Sequence, residues 1–319
     1  MTWKTIWIVG IVGLLAGSGC QATQTGSDRS VERAERGEFA AGQESQKSKK
    51  KRRPSAGDRR RGPRLDGQVR MREIDRETKC AISRRWDCDI GIAKRRGLIE
   101  TGLRPEFPKG VDCRDIDEHW AISLSHKRGH ENYHGGIDVP APIGTPIIAA
   151  AAGTVVAIFE GEKTNRGIDI ILRHSPDDTG IPLWIYTQYT HFDKMPALKR
   201  GQRVHMGQVL GPTGNSGASN ARRERRPAIH FGVWFSKSPK YAVGRGRLMP
   251  VDGQWMDPNA LYRGKPPFDS HSMKDLPAER KRIRIPVVMK DGSTIPPGTK
   301  LVWPYACDRR GVPTQASAP

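Results

Sequence analysis

From about residue 130 to residue 263, apolar positions come in short runs, without the three-to-four-residue spacing of a helix face. Ile147 to Ala152 and Thr154 to Phe159 are two such runs, broken at Gly153. Ile168 to Arg173 and Leu183 to Thr190 are rich in β-branched and aromatic residues. Clusters of Pro, Gly, Asn and Asp separate the runs, with Gly144-Thr145-Pro146 reading as a turn. The pattern predicts a mainly β region, an antiparallel sheet or two packed sheets. In Ile229-His230-Phe231-Gly232-Val233-Trp234-Phe235 the apolar side chains alternate at strand period. Ile229, Phe231, Val233 and Phe235 therefore share a face that can enter a core, and Ala228, His230, Gly232 and Trp234 share the other.

Outside this region the pattern changes. Ile6 to Ala16 is apolar apart from two glycines, follows Lys4, and ends in Gly17-Ser18-Gly19-Cys20. Eleven residues fall short of the about 20 that span a bilayer, so residues 1–20 read as a secretory signal. Residues 21–70 are poor in apolar residues and read as a disordered, basic linker. Residues 71–125 carry three cysteines and two tryptophans, Trp86 and Trp120, and read as a small Cys-containing lead-in. A sheet-rich domain over 126–264 follows, then a small β extension over 265–319. The extension's expected hairpin runs from Ile283 to Lys290, turns at Asp291-Gly292, and returns through Leu301 to Trp303.

Charge and cysteines bear on location. The chain has 54 Lys+Arg against 34 Asp+Glu, a formal net charge of +20. Ten of the basic residues lie between Lys47 and Arg64. In a cytosolic protein such a run suggests nucleic acid; behind a secretory signal it reads as a solvated tether near an anionic envelope polymer or lipid surface, or as a charge-extended linker with no partner, and no nucleic acid is expected. Besides Cys20 there are four cysteines, Cys80, Cys88, Cys113 and Cys307. In an oxidising compartment they suggest two disulfides, in any of three connectivities; a four-Cys zinc site is the alternative.

The chemistry gathers in three places. His134-Gly135-Gly136-Ile137-Asp138 puts a His and a carboxylate four apart, where two glycines and Pro140 exclude a helix. Tyr189-Thr190-His191 ends a strand run, and His230 projects from the strand described above, flanked by small residues.

These motifs, with Gly144-Thr145-Pro146, Gly201-Gln202, Gly207-Gln208 and Thr213-Gly214-Asn215-Ser216-Gly217 between them, resemble in order and spacing the lysostaphin-type (LytM-like) zinc metallopeptidases that cut peptidoglycan. The resemblance implies an antiparallel peptidase domain, with Zn2+ held by His134, Asp138 and His230 and with His191 as a catalytic histidine. Two imidazoles and one carboxylate leave a fourth position for water, the open site of a hydrolytic zinc centre. The implied substrate is the peptide part of peptidoglycan, met in the cell envelope or periplasm. The residues before Cys20 likewise resemble a bacterial lipobox, with Gly17 where Leu is usual. That implies a lipid anchor on Cys20; signal cleavage without lipid is the alternative.

The chain departs from the family in two places. The first His of the family's His-x-His is Ala228, whose methyl group can move no proton. Just before it, Ala221 to Pro227 forms a basic insertion, in which Glu224 is a candidate substitute base. Two functions follow: a zinc endopeptidase with altered proton transfer, or a catalytically impaired relative that binds peptidoglycan or regulates amidases. Retention of all three ligand-type residues favours the enzyme.

Overall fold

A computed structural model describes residues 63–83, 88–116, 127–128, 132–161, 166–217, 226–244 and 246–311. The expected signal, Cys20, the basic run up to residue 62, Trp86, Trp120 and Glu224 lie outside the described residues. Among the described residues, no helix is long and apolar enough to cross a membrane.

The domain is built on one seven-stranded sheet. Its strands are β1 (Ile137–Pro140), β2 (Gly153–Gly161), β3 (Gly167–His174), β4 (Trp184–Thr190), β5 (Arg203–Val204), β6 (Ala228–Ser236) and β7 (Gln254–Met256). The order is β5-β2-β3-β4-β6-β7, with β1 also on β6, and every pairing is antiparallel. The mainly β, antiparallel expectation holds. β4 pairs along its whole length with β6, from Trp184 opposite Ser236 to Thr190 opposite His230. The other edge of β6 is shared: β1 takes residues 228–231 and β7 takes residues 233–235.

The alternation read from β6 is observed. Ile229, Phe231, Val233 and Phe235 enter one apolar core. Trp234 enters a second, on the opposite face, with Tyr186, Tyr241, Trp255, Ile82, Ala93 and Leu98. Both faces of the sheet are therefore covered, which is why β3 is buried along its whole length.

The outer cover comes from the lead-in. Helix α1 (Arg76–Ser83) is tied by the Cys80–Cys88 disulfide to the segment just before helix α2 (Ile90–Arg95). The Trp255 indole N–H donates to Ala81 O at 3.0 Å, fixing α1 to β7. Residues 63–70, expected in the linker, are part of this body. Gln68–Val69 pairs in parallel with Tyr241–Ala242, and the Arg173 guanidinium donates to Asp66 while stacking on Trp184 and Tyr241 at 5.0 and 5.3 Å.

The tail joins the inner core through Leu301, Trp303 and Tyr305, and the second disulfide is Cys113–Cys307. The expected hairpin is differently placed. Ile283 lies in Arg282–Arg284, which pairs in parallel with Arg104–Glu106. Val287–Val288 pairs instead with Thr294–Ile295 across a turn closed by Asp291, whose carboxylate accepts from the Ser293 N–H at 2.9 Å. Pro286 separates the two strands, and Leu301 to Trp303 is buried but not a strand. Its backbone bonds, Val302 N–H to Ala150 O and Trp303 N–H to Pro286 O, tie it across the core.

Candidate metal and peptidase site

The register of β6 builds the site. Asp138 on β1 lies directly opposite His230, and His230 lies directly opposite Thr190 on β4. Directly opposed residues point to the same face, so Asp138 and His230 meet on the outer side. His134 reaches them from the loop before β1. Gly135 in that loop has φ +73°, a conformation glycine adopts without penalty. A Cβ on Gly136 would stand 2.6 Å from His230 Nε2, so only glycine lets the imidazole lie there.

Three donor atoms converge. Asp138 Oδ1 is 2.9 Å from His134 Nε2 and 2.9 Å from His230 Nδ1, and the two nitrogens are 3.0 Å apart. Bonds of about 2.0–2.1 Å to a tetrahedral zinc would place such atoms about 3.3 Å apart. An outward shift of a few tenths of an ångström would admit the ion, so the donor set fits. His134, Asp138 and His230 are 6, 2 and 9 % exposed. Burial pushes the Asp138 carboxyl up, but the charge and hydrogen bonds of His134 and the bonds of His230 outweigh it and hold the group well below the usual carboxylate range. It is an anion facing two imidazoles.

His191 stands beside this cluster, its ring centroid 6.2 Å from that of His230. It follows the last residue of β4 with φ +68°, in the left-handed region that few side chains adopt. Such strain persists where surrounding contacts enforce it. Here Nδ1–H donates to Ser216 O at 2.9 Å, and His191 O accepts from Gly214 N–H at 2.9 Å. The bond to Ser216 fixes the tautomer, so Nε2 is the ring atom that can take or give a proton. Ser216 is itself tied to β3, its hydroxyl accepting from Ile168 N–H at 3.1 Å.

All four residues singled out from the sequence thus come together. Gly136, Gly214 and Ser216 hold them, and sequence reading placed these only within glycine-rich motifs. Ala228 is 1 % exposed, lies opposite Pro140, and shares the outer face of β6 with His230. Its N–H donates to Gly214 O at 3.3 Å, tying it to the segment that holds His191.

Comparison with known proteins agrees with this geometry. Residues 132–242 match Peptidase family M23. The uncharacterized lipoprotein YgeR of Escherichia coli (strain K12) is 33% identical over 118 residues, covering 37% of this chain and 40% of that one. The peptidoglycan DD-endopeptidase ShyA of Vibrio cholerae is 31% identical over 123 residues, covering 36% of this chain and 25% of that one. The chain thus spans well under half the length of these curated relatives. Among solved structures, the catalytic domain of lysostaphin from Staphylococcus simulans is 26% identical, with a TM-score of 0.27, over 35% of this chain and 74% of that one. Residues 132–242 thus match an M23 peptidase domain, as their motifs implied.

Proposed function

We propose that the domain is a zinc-dependent endopeptidase acting on the peptide part of peptidoglycan, with His134, Asp138 and His230 as the metal ligands. The observation that carries this reading is the convergence of their three donor atoms within 3.0 Å. Zinc bound there would lower the pKa of a coordinated water to about 7 and polarise a scissile carbonyl. Asp138, flanked by two imidazoles, supplies the negative charge that favours a cation. His191 orients toward the cluster from a strained backbone, and its Nε2 stabilises developing oxyanion charge or moves the proton. The match of residues 132–242 to Peptidase family M23 and a relative named as a peptidoglycan DD-endopeptidase support the substrate class.

The envelope is the proposed location. Two disulfides suit an oxidising compartment, and a relative is named as a lipoprotein. We extend this to acylation of Cys20, with the basic linker resting on anionic polymer or lipid.

Ala228 favours a second reading, in which the site binds peptidoglycan or regulates an amidase without hydrolysis. General acid–base help is worth about 10²–10⁴-fold in rate, and a methyl group provides none.

The test is zinc content followed by muropeptide release from purified peptidoglycan. One equivalent of zinc is expected, lost in Asp138→Ala and His230→Ala; a metal-free wild type rejects the zinc reading. Release by wild type, reduced in His191→Ala, supports the enzyme. Release only after Ala228→His identifies a dormant site, and no release from any variant leaves the binding role.

A further inference from the structure

The outer face of the sheet carries more than the metal cluster. Asp138 lies opposite His230, His230 opposite Thr190, and Thr190 opposite Asp169 on β3. Opposed residues share a face, so these four side chains form one row across β1, β6, β4 and β3. With strands about 4.8 Å apart, Asp169 lies about 10 Å from His230 along that row.

The far end of the row is chemically incomplete. Asp169 is 1 % exposed. Its Oδ2 accepts from Gln188 Nε2 at 2.5 Å, while Oδ1 is buried without a hydrogen-bond partner. The Thr190 hydroxyl, between Asp169 and His230, is also buried without one. Among the described residues, no other carboxylate leaves a buried oxygen unbonded, and no cation forms an ion pair with Asp169. Among the described residues the one charge facing it is Arg166, whose guanidinium donates to Gly246 O instead. Burial raises the Asp169 carboxyl to about 6, against smaller lowering by Arg166 and Gln188. At neutral pH it is therefore an anion whose buried charge is incompletely met. Buried charges are normally paired, and this one lies in line with the cluster that holds the proposed metal.

We propose that Asp169 and Thr190 form a subsite for a primary ammonium group of the peptide substrate, about 10 Å from the metal ligands along this row. The ammonium donates to Asp169 Oδ1 and supplies the missing countercharge. The Thr190 hydroxyl bonds the adjoining peptide group. Gln188 is the positioning residue: its amide holds Oδ2, and its stem packs beside Gly232, where a Cβ would approach Gln188 Oε1 to 3.3 Å. The subsite rests on the peptidoglycan reading above and names which peptides the site selects: those with a free amine roughly three extended residues from the bond held at the metal, at about 3.3 Å per residue.

Sedimentation of the full chain with purified sacculi tests this, comparing untreated sacculi with sacculi whose free amines are acetylated. Acetylation removes positive charge, so a merely basic protein binds the treated wall as well or better. The subsite predicts the opposite, with wild type binding treated sacculi about tenfold more weakly, the value of one charge-assisted hydrogen bond. Asp169→Asn, checked for folding by its thermal transition, should bind both preparations equally. Wild type that binds treated sacculi as well as untreated, or that binds neither, overturns the proposal without reference to any variant. Asp169→Asn that keeps the wild-type preference also overturns it. Amine-selective binding without muropeptide release keeps the subsite and removes the hydrolytic reading, so the two failures are distinguishable.

Discussion

The outer face of the sheet has two ends with the same backbone and different contents. At one end, Asp138, His230, Thr190 and Asp169 form a polar row. At the other, two pairs along β6, Trp255, Trp234, Tyr186 and Arg173 form a second row, likewise directly opposed. The second row is sealed by α1 and α2, with Trp234 and Trp255 centroids 5.4 Å apart. Four residues of strand, about 13 Å, separate a packed aromatic layer, whose Trp234 Nε1 is itself buried and unbonded, from a layer that keeps an unbonded carboxylate oxygen and hydroxyl. Packing at one end holds the sheet in register so that the other end can carry groups that contribute no stability.

That contrast can be attacked first through the disulfides. Cys113–Cys307 closes a separation of 194 residues beneath the inner face, and Cys80–Cys88 closes one of 8 within the outer cover. In the chain-entropy view the first is worth about 5 kcal/mol and the second about 2–3 kcal/mol. Cys113→Ser with Cys307→Ser should therefore shift the denaturant midpoint roughly twice as far as Cys80→Ser with Cys88→Ser. Equal shifts would mean that the tail is held by packing of Trp303 and Tyr305 and owes little to the cross-link.

Substitutions in the two rows come next. Trp234→Ala removes a 4 % exposed side chain from the packed row and should cost about 3–5 kcal/mol. His191→Ala should cost only about 1 kcal/mol, because it loses one hydrogen bond and leaves the left-handed backbone still carrying a Cβ. Any muropeptide release should fall about 10²–10⁴-fold. A His191→Ala variant that unfolds as readily as Trp234→Ala would show that the polar row is structural.

Acid separates the faces by sign. On the inner side, His174 donates from Nδ1 to Ala152 O at 2.6 Å and bonds Thr187 Oγ1 through Nε2 at 2.7 Å. Burial holds its pKa down to about 4. The stability this contributes is complete above about 6.5 and is lost as pH falls toward 4. Asp169 is the reverse. Its pKa is raised to about 6, so its contribution is complete below 3.8 and is lost as pH rises through 6. Each is worth roughly 3 kcal/mol, and between pH 6 and 4 they oppose one another. Asp169→Asn deletes one side of that balance. Taken from pH 6 to 4, it should lose roughly 2 kcal/mol more than wild type in urea unfolding. Parallel profiles would mean that Asp169 titrates alike folded and unfolded.

Much of this was legible in the sequence, for physical reasons that also mark the limit. His134, Asp138, His191 and His230 were readable because their motifs, in order and spacing, resemble those of the lysostaphin-type peptidases; glycines and a strand period alone limited only where His134 and His230 could point. The inner face of β6 was readable from alternation alone. The outer cover was not: α1 and α2 lie in a Cys-containing stretch whose disulfide pairing depends on three-dimensional proximity. The tail hairpin was misplaced because buried apolar residues at 301–303 carry the signature of a strand without pairing as one. Asp169 was passed over within Ile168-Asp169-Ile170, where an acid on a strand looks like ordinary alternation. The signal available was its company, since β3 is buried along its whole length. A carboxylate has no bland place on such a strand.

The smallest expected effect is the sharpest test of why the two rows differ. The Thr190 hydroxyl is buried and unbonded, a state that costs about 1–3 kcal/mol. Thr190→Val keeps the branched shape and removes the hydroxyl. If the packed row sets the rule for the whole face, the gain of an apolar group should be the only consequence. The melting transition should then rise by an amount equivalent to about 1 kcal/mol, with wall binding unchanged. If the polar row is kept for its ligand, the same rise should come with weaker binding to untreated sacculi, because a bond made only with substrate has gone. Stability and function would then move in opposite directions at one atom, as expected where a site retains a polar group at the expense of its own fold.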